Sequence, residues 1–543
     1  MRAIGFQNFR KFTDFPLMEF APITIFVGGN NAGKSTVVKG LLSLNDFLNS
    51  TPIGEIEIPY SARERQDIPL EPILKQKKKM LKEQKFYFNS NPYTHIGTFE
   101  RAQNNTCGTN DIVFNCVMGN FCMSIEVIKG KDKELPYGFI SKVRIIDLIF
   151  NITITFDLFA DQALVEMRPY ASNMKEIEAS SRKRYFDVLK SPCSFTYCIS
   201  DYWTTEAPTL PTSLLASFNT AISYTLTIPE LSEEEKKEPP FTRRNFCSFK
   251  IVEGITEEAL NAFRAIASRP MPNSYRPTKE AYRYLRFEIP SMRAAYLRGR
   301  QMEYIYSHAV SQNVWYVAGA TDYLSKTVHE FATEQNKSHK RNLVELWMDE
   351  NHFNIGKTFQ IVSVGGEAFQ VKITDFDGTV TDLADKGMGT IQLMVLLFRL
   401  AIALPSKKRM RTWGGFIYED NTPHVIIVEE PEQNIHPKLQ SLLADLFYDM
   451  FTDYGFHFIV ETHSEYLVRK TQVKVKELAQ KTQTLNENPF KVYFFNSVKS
   501  DSESCTALTP FKDMMYRVDG KFDEEFGKGF FDEATRLAFQ ILS

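Results

Sequence analysis

The sequence predicts an α/β fold with a parallel sheet, and three stretches predict it. Ile23-Thr24-Ile25-Phe26-Val27 is an apolar strand that runs into Gly28-Gly29-Asn30-Asn31-Ala32-Gly33-Lys34-Ser35-Thr36, with a helix-like segment from Ser35 to Leu44 behind it. Val425-Ile426-Ile427-Val428 is a second apolar strand, ending in Glu429-Glu430-Pro431. Phe456-His457-Phe458-Ile459-Val460 is a third, ending in Glu461-Thr462-His463-Ser464. Buried parallel strands read as short apolar runs and deliver functional side chains at their C-terminal edge.

The first stretch has the form G-x-x-x-x-G-K-S between strand and helix. Glycines at 28 and 33 let backbone N–H groups converge on an anion, and the helix adds the positive end of its dipole. Lys34 then reaches β- and γ-phosphates, and Ser35 offers a hydroxyl to Mg²⁺. Gly28, Asn30, Asn31, Ala32, Gly33, Lys34, Ser35 and Thr36 are therefore the expected ATP-binding residues. Ahead of the loop, Ile4-Gly5-Phe6 and Phe15 to Phe20 read as a hairpin whose connection carries Arg10 and Lys11. Nucleotide contact and a solvated turn are both open readings for that pair.

In the second stretch, Glu429 is suited to hold Mg²⁺ through water and Glu430 to act as general base on the attacking water. In the third, His463 can donate to the γ-phosphate and orient that water. Upstream, Asp385-Lys386-Gly387-Met388-Gly389 precedes an apolar helix, Thr390 to Leu404. Two glycines at a helix N-terminus form a second anion site, which one nucleotide site does not need twice. The economical reading is that it completes the site of a second copy.

Between these motifs the texture changes. Ile112–Val117, Met123–Val127, Val143–Ile146 and Ile152–Phe156 alternate with a period of two and predict an antiparallel sheet. Residues 171–312 read as an inserted, mainly helical lobe, with a helix opening at Ile255-Thr256-Glu257-Glu258, an exposed loop from Glu230 to Pro240, and Met292 to Val310 as further lobe sequence. After it come a strand at Val314–Val317, a strand pair at Phe359–Val362 and Phe369–Ile373, a closing strand Phe490–Phe495 and a capping helix Gly529–Leu542. The expected organisation is 1–170, the N-terminal half of the α/β unit with the antiparallel subdomain; 171–312, the lobe; and 313–543, the C-terminal half.

Composition narrows the class. With 43% hydrophobic and 24% charged residues and a net charge of −2, a wholesale nucleic-acid coat is excluded, though a local basic patch is not. Lysines at 75, 77, 78, 79, 82 and 85 form such a run, with nucleic-acid contact and a solvated helix face both open. Seven cysteines without a C-x-x-C pair read as reduced thiols, with no zinc site. The most apolar helix carries Gln392 and Arg399 and is too short to span a bilayer, so a cytoplasmic protein with no membrane partner is expected.

Phosphate loop, glycine-bearing signature, Glu-Glu-Pro strand and Thr-His-Ser turn, in that order, resemble an ABC-type ATPase head of the SMC-like and OLD-like branch. Asn8-Phe9-Arg10, the loop 28–35, Asp385–Gly389, Glu429–Pro437, Glu461–Glu465 and the tail Gly529–Glu533 are similar to AAA-family ATPases of prokaryotic defence, most of all the ATPase subunits (PtuA) of Septu systems, including those attached to retrons. The resemblance covers 1–170 and 313–543. It implies an ABC-type P-loop head that hydrolyses ATP to ADP and phosphate with Mg²⁺, and a head-to-tail dimer or higher oligomer. Each ATP would lie between one copy's loop and the other's Asp385–Gly389 signature, with Asn434 and His436 in the loop after the catalytic glutamate. The sequence departs from transporter ATPases at Glu429, at Lys386–Gly389 and at His436, where those have Asp, Ser-Gly-Gly and Asp. These departures leave ATP binding in place and leave the rate of hydrolysis, slow or ordinary, open. The Mg²⁺-sensing glutamine of such heads has one candidate here, Gln103.

OLD-like nucleases carry a further metal-dependent domain, and neither its carboxylate pattern nor an HNH site is found here. The implied partner is thus a separate HNH nuclease (PtuB-like), with nucleic acid or a retron reverse transcriptase–DNA complex as further partners. The other function the family suggests is an SMC/RecF-like repair or DNA-tethering ATPase.

Overall fold

The computed structural model describes residues 2–50, 70–89, 96–106, 111–118, 121–132, 134–147, 152–167, 193–203, 209–227, 302–306, 316–317, 323–334, 338–366, 368–404, 409–411, 417–419, 424–482, 484–495 and 510–526, with three single residues beyond. In chain order, β1 (Ala3–Phe9), β2 (Phe12–Glu19) and β3 (Ile23–Gly28) lead into α1 (Lys34–Asn49), followed by α2 (Leu70–Lys82), β4 (Lys85–Tyr87) and α3 (Phe99–Ala102). Next come β5 (Asp111–Met118), β6 (Phe121–Ile128), β7 (Tyr137–Asp147), β8 (Ile152–Asp157), β9 (Gln162–Met167), β10 (Cys193–Cys198), α4 (Ile199–Tyr202) and α5 (Leu210–Thr227). Then follow β11 (Met302–Tyr306), β12 (Tyr316–Val317), α6 (Tyr323–Glu334), α7 (Ser338–Met348), β13 (Thr358–Val364), β14 (Ala368–Thr374), β15 (Val380–Asp382) and α8 (Met388–Ala403). The chain continues through β16 (Arg409–Arg411), β17 (Ile417–Glu419), β18 (Val425–Glu429), α9 (Pro437–Tyr454), β19 (His457–Glu461), α10 (Glu465–Thr482), β20 (Phe490–Phe495) and β21 (Phe511–Met514). It forms two compact units, one of Met1–Glu19 with Lys39–Gly299, the other of Phe20–Val38 with Arg300–Ser543.

The first unit is built on an antiparallel sheet in the order β10-β9-β8-β7-β6-β5-β1-β2, with β4 on β7. The four alternating runs are β5 to β8, each paired with the next. The strict alternation of buried and half-buried positions in β5, β6 and β8 explains the period of two: one face covers a core. Phenylalanines fill that core, Phe6 stacking on Phe15 and Phe86 on Phe114 with ring centroids 4.5 and 4.8 Å apart. Arg10 and Lys11 are the two-residue turn between β1 and β2, Phe9 pairing with Phe12 across it. Arg10 sits at φ +52°, with its N–H on Ala102 O and its carbonyl on Asn104 Nδ2, each at 2.7 Å. Three of the six lysines of the run have partners within this unit. Lys78 pairs with Asp161 at 3.4 Å, Lys79 with Glu83 at 3.9 Å, and Lys85 lies 4.2 Å from the Tyr137 ring centre.

The second unit carries a six-stranded sheet in the order β11-β18-β19-β3-β20-β21, parallel except for its last pair. Every residue of β3 is buried, as are Val425 to Val428 of β18. A smaller antiparallel sheet, β12-β14-β13 with β15 on β14, precedes α8. Within that apolar helix, Arg399 donates through Nη1 to Glu330 at 2.6 Å and lies over the Tyr323 ring. No described helix is long and apolar enough to cross a membrane.

Two elements correct the sequence reading. Cys193–Cys198, expected within the helical lobe, is β10 and extends the antiparallel sheet by pairing with β9. Met302–Tyr306, taken with the helical lobe, is β11, pairing in parallel with β18. Its Tyr-Ile-Tyr run suits a strand, but its partner is far along the chain and no local pattern signals it. Most of the lobe, including the helix from Ile255 and the loop Glu230–Pro240, lies outside the described residues, as does most of the tail Gly529–Leu542.

Candidate active site

The expected ATP-binding loop joins β3 to α1. Gly28 stands at φ +141°, and a Cβ there would come within 2.5 Å of the Phe495 carbonyl on β20, so the close approach of that strand demands glycine. Asn31 at φ +60° and Gly33 at φ +111° turn the chain back into the helix, where Thr36 N–H donates to Gly33 O at 3.0 Å. Alternating backbone hands of this kind aim successive N–H groups into one concavity. Lys34 is 3% exposed, and its Nζ donates to Gly28 O at 3.0 Å and Gly29 O at 3.1 Å. Burial lowers its pKa, with Glu461, Glu430 and Glu432 acting against that.

Strand order brings the other motifs to this loop. β19 lies between β3 and β18, so Glu429, Glu461 and Phe26 share one rung across three parallel strands. His463 Nε2 is 3.3 Å from Lys34 Nζ and 3.7 Å from Glu430 Oε1. Burial and then Lys34 lower the histidine pKa, keeping the ring neutral. Glu430, at φ +46°, is fixed by its own N–H on Glu461 O at 2.7 Å and by Gln433 Nε2, which donates to its Oε2. The described residues thus bring Lys34, Ser35, Glu430 and His463 together.

Two carboxylates that sequence reasoning left without a role complete the site. Ser35 Oγ lies 3.1 Å from each oxygen of Glu461, and Lys34 Nζ lies 3.7 Å from Glu461 Oε1. Burial first, then Glu429 and Glu430, push the Glu461 carboxyl up to about 7 against Lys34 and Ser35. Glu432, also buried, accepts the His463 backbone N–H on Oε1 at 2.6 Å, and burial raises its pKa too. The signal available in the sequence was only that Glu461, like Glu429, closes an apolar strand.

The residues fit Mg²⁺ by donor chemistry. A hydroxyl and hard carboxylate oxygens suit an ion that takes one or two protein carboxylates and leaves its other positions to phosphate and water. No group of three or more His, Cys, Asp or Glu suited to a metal occurs among the described residues.

Around the signature, Leu383–Asp385 is a 3₁₀ turn and Gly387 is the N-cap of α8 without a side-chain cap bond. Lys386 Nζ donates to Asp375 Oδ1 at 2.5 Å, from the turn between β14 and β15. Met388 opens α8, and Gly389 packs so closely on the Asn434 carbonyl that a Cβ would collide with it. Asn434 Nδ2 reaches Gln392 Oε1 at 3.4 Å. His436 has a structural task, capping α9 through Nδ1 with Pro437 next in line. Gln103 bridges Phe9 in the first unit.

Residues 308–468 match the family model described as an AAA ATPase domain. The phosphate loop on β3 lies in the same compact unit as that match. No curated protein matches the chain. Among solved structures, an Smc head domain with an extended coiled coil bound to the C-terminal domain of ScpA, from Pyrococcus furiosus, is similar at 10% identity and TM-score 0.29, covering 100% of this chain and 99% of that one. An SMC head from Thermotoga maritima is similar at 8% identity and TM-score 0.28, covering 92% and 96%. At these scores the fold rests on its own strand order and loop geometry.

Proposed function

We propose that the chain is an ABC-type ATPase subunit of a prokaryotic antiphage complex, acting in the cytoplasm, which dimerises head to tail on ATP to hold and control a separate HNH nuclease. The observation that carries the ATPase part is the convergence of Lys34, Ser35, Glu430 and His463 at one sheet edge. Lys34 and the loop amides hold the triphosphate. Mg²⁺, held through Ser35 and Glu429, would neutralise charge on the β- and γ-phosphates. Glu430 accepts a proton from water as its oxygen attacks the γ-phosphorus, the bond to the leaving ADP oxygen breaks, and phosphate departs. Neutral His463 orients the γ-phosphate from beside Lys34.

The head-to-tail dimer is supported by Gly387. Among the described residues a Cβ there would meet no atom within 4 Å, and its φ of −62° needs no glycine. A partner's triphosphate approaching the open end of α8 would require it. The antiphage role is supported by the wording of the motifs, which resembles Septu-type ATPases. A DNA-tethering ATPase is less well supported, because Lys78, Lys79 and Lys85 have partners within their own unit.

Two variants test the ATPase. Lys34→Ala is expected to abolish ATP binding. Glu430→Gln is expected to bind ATP and stop turnover, and undiminished turnover would reject Glu430 as the base. Co-purification from the native operon tests the complex: a bound HNH nuclease is expected, and recovery of the chain alone would count against it.

A further inference from the structure

Glu461 stands closer to the phosphate loop than the carboxylate expected to hold the metal. Glu429, Glu461 and Phe26 occupy one rung of three neighbouring parallel strands. Strands lie about 4.8 Å apart, so Glu429 starts about 10 Å from the β3 backbone and Glu461 about half that. In parallel strands the side chains of one rung project to the same face, so both carboxylates lie on one face of the sheet, Glu461 next to the loop strand and Glu429 one strand further out. The Ser35 hydroxyl faces both Glu461 oxygens at 3.1 Å, and the Glu461 side chain is 6% exposed.

We propose that Glu461 is the protein carboxylate that holds the nucleotide's Mg²⁺ against Ser35, with Glu429 in support one strand further out. This rests on the reading of the loop as an ATP–Mg²⁺ site. A buried carboxylate touching the hydroxyl that ligates the metal supplies a hard, anionic oxygen at the right place, while phosphate oxygens and water complete the octahedron. It also gives Mg²⁺ a protein contact on β19, the strand that leads directly into His463. The competing account is a structural clamp, in which Glu461 only steadies Lys34 and Ser35.

The test is binding of a fluorescent ATP analogue to the full chain, first in EDTA and then titrated with Mg²⁺, with Mn²⁺ and its EPR signal as an independent readout. Glu461→Gln is expected to keep metal-free binding within about threefold of the wild type. Its midpoint for Mg²⁺ should rise about tenfold or more, as when a metal site loses a supporting group. Glu461→Asp, which retains the carboxylate, should recover part of the metal response. An unchanged Mg²⁺ midpoint in Glu461→Gln would overturn the proposal, as would loss of metal-free binding in both variants, which is what a clamp requires. A wild-type chain that binds no ATP would instead remove the nucleotide reading itself.

Discussion

Four ionisable side chains beside the phosphate loop are shifted by burial: Glu461 and Glu432 upward, Lys34 and His463 downward. Glu461 makes the consequence measurable. Its carboxyl goes from an ordinary 4.5 to about 7, so between those values the folded chain holds a proton that the unfolded chain has released. Stability contributed by the protonated group is therefore full below pH 4.5 and is lost as pH rises to about 7. The size is on the order of 3 kcal/mol. Glu461→Gln cannot ionise, so its denaturant midpoint should gain on the wild type from pH 5 to pH 8; parallel pH profiles would contradict this. Lys34, Glu430 and His463 were legible in the sequence because each belongs to a local motif with a fixed neighbourhood. Glu461 and Glu432 were not, because their tasks depend on β19 lying between β3 and β18. That is a fact of strand order, and no spacing along the chain carries it.

At the scale of elements, the loop from Glu430 to His436 joins the two parts of the machine. On one side Gln433 orients Glu430 and Glu432 holds the backbone of His463; on the other, Asn434 receives Gly389 of the signature helix. Gln440 of α9 fastens the arrangement, donating to Ile435 O at 2.9 Å and accepting from Ser464 Oγ at 2.6 Å. Glu432→Ala removes the acceptor for the His463 N–H, so kcat should fall about tenfold or more with little change in ATP affinity. Glu432→Gln keeps a side-chain oxygen and should retain more turnover. A matching loss of ATP binding in Glu432→Ala would mean that the residue merely supports the fold. The strands around the phosphate loop, Glu429 and Glu461, the runs inside β5 to β8 and the apolar helix stand out in the sequence because their patterning is strong, whereas short strands such as β10, β15 and β21 carry no such pattern. β11 was missed because a five-residue Tyr-Ile-Tyr strand has no signature without its partner.

Across the whole molecule, the sheet that carries the phosphate loop is assembled from Phe20–Val38 and the last part of the chain, while Met1–Glu19 and the residues from Lys39 to Gly299 build a separate antiparallel unit. The antiparallel sheet was visible in the alternation of β5 to β8; the return of the chain to β3 was visible only through the motifs. The central claim is that two copies complete each other's sites, with the Gly387–Met388 end of α8 over the partner's triphosphate. The direct measurement is the solution mass of Glu430→Gln with saturating ATP and Mg²⁺, alone and combined with Met388→Asp. An aspartate at a helix start favours the helix but repels phosphate, so it should spare folding and ATP binding. The account expects twice the 62.6 kDa of one chain for Glu430→Gln, and a monomer that still binds ATP for the double variant. A monomer in the first case, or a dimer that survives Met388→Asp, would contradict it.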